Sequence, residues 1–91
     1  MGRETRLFKS QERKTLAEVS DFLHQLADKI GTGEVVLRQG SDELTLSLPR
    51  NTVLEVQAED EEKGSRGIQH SLEVEIKWFE GDDDAGALEL G

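Results

Sequence analysis

Carboxylates are the residues of this chain that could do chemistry. Glu55, Glu73 and Glu75 fall, together with Glu59, on the polar side of two alternating segments. Paired carboxylates can split acid and base roles, but only inside a pocket that pushes their proton affinities apart. A flat, hydrated sheet face offers no such pocket, so these side chains point to binding and away from catalysis. Nucleophiles fare no better. The chain has no cysteine, and its serines lie outside any nucleophile-elbow motif. Gly31-Thr32-Gly33 follows a helix instead of opening one, so it is not a phosphate cradle. His24 and His70 are the only histidines, and a metal site needs further converging ligands. Asp82, Asp83 and Asp84 lack the alternating ligands and closing glutamate of a calcium loop. No metal and no cofactor is expected, and the chain reads as a non-enzyme.

Two aromatic residues add to the candidates. Trp78 shares its parity with Leu72, Val74 and Ile76 and is expected in the core, although tryptophan is also a common binding anchor. Phe79 has the opposite parity. With Val36 and Val53 it would make a small outward contact patch. Glu55, Glu73, Glu75 and Phe79 are therefore the candidate binding residues.

These residues need elements to position them. In Ile68 to Phe79, apolar and polar side chains alternate, the mark of a strand with one greasy and one charged face. Thr52 to Glu59 alternates likewise, with Leu54, Val56 and Ala58 on one face. Glu34–Gln39 and Asp42–Leu48 flank Gly40-Ser41, a pair suited to a two-residue hairpin turn. That loop sets Leu37 against Leu44, Val35 against Leu46 and Arg38 against Glu43, so like meets like and opposite charges meet. Pro49 ends the second strand. Asp60 to Gly67 reads as a polar loop, and Thr5 to Ser10 as a short edge strand.

One helix precedes the strands. Thr15 and Glu18 have capping-box spacing. Leu16, Val19, Leu23, Leu26, Ala27 and Ile30 then trace one apolar stripe, until Gly31 and Gly33 stop the helix. The expected fold is a two-layer α+β domain over residues 1–80. In it, one amphipathic helix packs on one face of a four- or five-stranded antiparallel sheet. Residues 81–91 form an acidic tail, expected to be disordered.

The phrases L-F-K-S-Q-E-R, E-V-S-D-F-L-H-Q-L-A-D-K-I, V-V-L-R-Q-G-S-D-E-L-T-L-S-L-P and L-E-V-E-I-K-W occur in that order. Together they resemble the amphi-Trp domain family of small bacterial and archaeal proteins, over roughly Leu7 to Glu80. The resemblance supports the fold. It implies a protein of uncharacterised function and brings no catalytic residues with it.

Bulk composition narrows the partners. The chain has 91 residues, 20 of them acidic against 11 Lys and Arg, for a net charge of −9. Such a surface repels nucleic acid and anionic membrane, and no apolar run is long enough to span a bilayer. The start Met1-Gly2-Arg3-Glu4-Thr5-Arg6 departs from an acylation signal at Arg6. A cytoplasmic location fits the lack of cysteine. The leading expectation is a small interaction module that binds a basic protein, or a second copy as a homodimer, through its open sheet face or an edge strand. Two alternatives stay open: a ligand-binding or catalytic pocket between helix and sheet near His70 and Trp78, and a nucleic-acid mimic.

Overall fold

The computed structural model describes residues 2–81. Its elements are α1 (Leu16–Thr32), β1 (Glu34–Gln39), β2 (Asp42–Ser47), β3 (Val53–Glu62), a single 3-10 turn (Gly64–Arg66) and β4 (Ile68–Lys77). Contacts divide the chain into two compact units, Met1–Leu48 and Pro49–Gly91.

In the first unit, α1 starts where the capping box places it. The Glu18 backbone N–H donates to Thr15 Oγ1 at 3.1 Å, and the Thr15 N–H donates back to Glu18 Oε1 at 3.0 Å. Both groups would otherwise be orphaned at the helix start. The Thr15 N–H bond, a second from the Thr15 hydroxyl to Glu18 Oε1 at 3.2 Å and the nearby Lys14 charge hold the Glu18 carboxyl below its ordinary value. At the far end Gly33 adopts φ 87, and its N–H donates to the Ile30 carbonyl at 2.9 Å. Gly31 lies inside the helix, so Gly33 makes the cap.

Gly33 leads directly into β1, which pairs with β2 in the expected register, Val35 with Leu46, Leu37 with Leu44 and Arg38 with Glu43. Gly40 sits at φ 59, whereas Ser41 is not in the positive region, the signature of a type II′ turn. Arg38 Nε meets Glu43 Oε2 at 2.6 Å on the outer face. The C-terminal half of α1 packs on β1. Leu26 and Ile30 are half-buried, and Val35 is buried at 5% exposure. The Leu48 N–H donates to the Gly33 carbonyl at 2.8 Å, joining the two ends of this hairpin.

The second unit is a long ribbon. β3 and β4, each 10 residues, pair antiparallel from Val53–Lys77 to Glu62–Ile68. Residues 63–67 close it, with the Lys63 N–H bonded to the Gly67 carbonyl at 2.8 Å.

Three expectations are corrected. The strands form two separate two-stranded sheets, not one sheet of four or five. Alternation specifies which face of a strand is apolar but not which strand lies at its edge, so it could not supply the pairing between hairpins. Residues 5–10 form no strand. The region expected to be a polar loop is strand through Glu62, because backbone bonding and an Asp60–His70 pair extend the ladder where apolar alternation has ended. The expected tail lies outside the described residues from 82 onward.

Two glycines two positions apart should respond oppositely to alanine. Gly33→Ala forces a side chain into the left-handed region and should cost about 1–2 kcal/mol in urea unfolding. Gly31→Ala meets nothing within 4 Å. It should gain about 1 kcal/mol from helix propensity.

Candidate binding ribbon

The two-residue period of β3 and β4 sorts their side chains onto two faces. On one face Leu54 pairs with Ile76, Val56 with Val74 and Ala58 with Leu72. On the other Glu55 pairs with Glu75, Gln57 with Glu73 and Glu59 with Ser71. Three of the candidate binding residues, Glu55, Glu73 and Glu75, are thereby brought to one surface. Phe79 lies beyond the end of β4 and is 82% exposed.

Directly opposed glutamates repel. Lys77 answers this at the open end of the ribbon. Its Nζ lies 2.7 Å from Glu55 Oε1 and 3.8 Å from Glu75 Oε1. The hydrogen bond and charge of Glu55, followed by the charge of Glu75, raise the Lys77 pKa above its ordinary value. At the turn end, Lys63 Nζ lies 3.2 Å from Glu61. Glu59 and Glu73 have no cationic partner among the described residues.

The apolar face has no cover among the described residues of its own unit. Leu54, Val56, Leu72 and Val74 are each at least 60% exposed, while Ile76 and Trp78 are half-buried. Trp78 is thus only partly a core residue. His70, at the turn end of this face, shares a 2.6 Å contact between Nδ1 and Asp60 Oδ1. His70 and Trp78 stand eight positions apart, roughly 26 Å along an extended chain. The ribbon does not bring them into one pocket. His24 is exposed and lines a shallow hollow on α1 with Leu16, Val19, Ser20, Leu23 and Ala27. No group of three or more His, Asp or Glu side chains suited to a metal ion occurs among the described residues.

Sequence reasoning missed the Asp60–His70 pair because it placed Asp60 in a loop. The usable signal was the greater length of the partner segment: Ile68 to Phe79 outruns Thr52 to Glu59, so the first strand had to continue past Glu59 to pair with all of it.

The chain matches the Amphi-Trp domain along its whole length, residues 1–91. It belongs to the Amphi-Trp domain family. No curated protein and no solved structure matches it significantly. In this Amphi-Trp chain the alternating segment that carries the tryptophan is β4 and the residue just after it. No helix among the described residues is long and apolar enough to cross a membrane.

The Lys77 contacts make ribbon stability depend on pH. A group whose pKa rises on folding stabilises fully below its unfolded value and loses that contribution as pH climbs through the folded one. Stability measured in urea should therefore fall as pH rises past the ordinary lysine value of 10.5. Lys77→Met should lower stability at neutral pH and flatten this alkaline loss. A wild-type curve no steeper than the variant's would show that the contacts are energetically silent.

Proposed function

We propose that this chain is a small non-enzymatic interaction module whose β3–β4 ribbon receives a basic protein partner. The observation that supports this most directly is the carboxylate face. Glu55, Glu59, Glu61, Glu73 and Glu75 project from one side of the ribbon, and the lysines touching it, Lys63 and Lys77, stand at its two ends. The middle of that face, around Glu59 and Glu73, is left with negative charge to offer. Such a field steers basic partners toward contact and weakens with salt.

The ribbon also has two strand edges with unpaired backbone groups. Edges of this kind accept an added strand through main-chain hydrogen bonds, while side chains on either face select the sequence. Charge attracts and the edge aligns, and neither role asks for a pocket. The acidic surface argues against direct nucleic-acid binding for the same electrostatic reason.

Affinity capture from native lysate at low and at high salt tests this reading. Partners should be basic proteins, retained at low salt and released at high salt. The double variant Glu73→Lys with Glu75→Lys should lose them at both. An unchanged partner set in the variant would remove the acidic face from the account.

A further inference from the structure

Residues 2–14 form neither helix nor strand, yet they hold Arg3, Arg6, Lys9, Arg13 and Lys14 against only Glu4 and Glu12. Among the described residues Lys14 alone of these cations has an acidic neighbour, Glu12 at 4.0 Å. Leu7 in the same arm is 67% exposed. The molecule thus holds a cationic arm without backbone pairing and an acidic ribbon with open edges. A two-stranded hairpin is marginal in water until a third strand or a packed layer supports it.

We propose that residues 3–9 of one copy add as an antiparallel third strand along the β3 edge of a second copy. The inference rests on the reading of the ribbon as an interaction surface and names one occupant for it.

Spacing and charge both support that occupant. Arg3 and Lys9 are six positions apart and share one parity, as are Glu61 and Glu55 on the carboxylate face of β3. Antiparallel addition sets Arg3 opposite Glu61 and Lys9 opposite Glu55. The same register sets half-buried Phe8 opposite Val56 on the apolar face, where Val56 is 60% exposed. It carries one opposing like-charge pair, Glu4 with Asp60, and leaves Leu7 on the carboxylate face opposite Gln57. Opposite charges and apolar groups facing each other are the pairs that favour a strand register. In a two-fold pair of chains each copy gives an arm and receives one, and each ribbon gains a third strand whose cations join Lys63 and Lys77 beside Glu61 and Glu55. The arm runs toward Thr15 over residues 10–14, up to about 17 Å of chain between the added strand and the helix cap.

Light scattering on the full chain during size-exclusion chromatography, across a concentration series, reads the outcome. The wild type should have the mass of two chains at low salt and dissociate as salt rises. Arg3→Glu with Lys9→Glu should weaken the dimer about tenfold or more, as should Glu55→Lys with Glu61→Lys, and combining all four changes should restore it. Circular dichroism on each variant confirms an unchanged fold. A single-chain mass at every concentration would overturn the proposal, and that includes the case in which an arm docks on its own ribbon. So would a dimer indifferent to the charge reversals, or one not restored by combining them. A single-chain protein that still captures basic partners through Glu73 and Glu75 would lose the self-association and keep the binding ribbon. Loss of both results would remove both.

Discussion

The alternation of side chains along paired strands is the constraint on which this molecule depends. Once Leu54 stands opposite Ile76, every later pair in the ribbon is assigned to a face, and a slip of one residue would exchange the apolar and carboxylate surfaces. The strand period therefore produces the acidic surface as a by-product of gathering Leu54, Val56, Leu72 and Val74 on the other side. Glu55 and Glu75 are forced into opposition by the same rule, and Lys77 is placed to relieve it. Packing and electrostatics are two sides of one ladder.

Much of the first unit was legible because its signals are local. The Thr15–Glu18 box, the left-handed cap and the Gly40-Ser41 turn each act within a few residues, and each has a residue type that the geometry demands. The register of β1 against β2 followed, since a two-residue turn leaves no freedom in pairing. What was not legible concerns the meeting of distant segments. Nothing in Asp42–Leu48 or Thr52–Glu59 says which neighbour lies at a strand edge. The true end of β3 was hidden for another reason. Asp60, Glu61 and Glu62 are poor strand formers by type, and they continue the ladder because the partner strand is already held in register.

The candidate binding residues were legible in the same uneven way. The parity of Glu55, Glu73 and Glu75 sufficed to put them on one face, and the register brought Glu55 opposite Glu75. The ion pairs could not be foreseen residue by residue, because long lysine and glutamate side chains select partners in three dimensions, not by position in the chain.

One contact in the first unit has a mechanical consequence. The bond from the Leu48 amide to the Gly33 carbonyl clasps the hairpin at its base, where the helix ends. The tip at Gly40-Ser41 is the far end of a closed finger; Gly40, at φ 59, would strain any side chain, whereas the exposed Ser41 already carries one. Bulk grafted there, such as a dye or a short epitope, is insulated from the helix by the clasp.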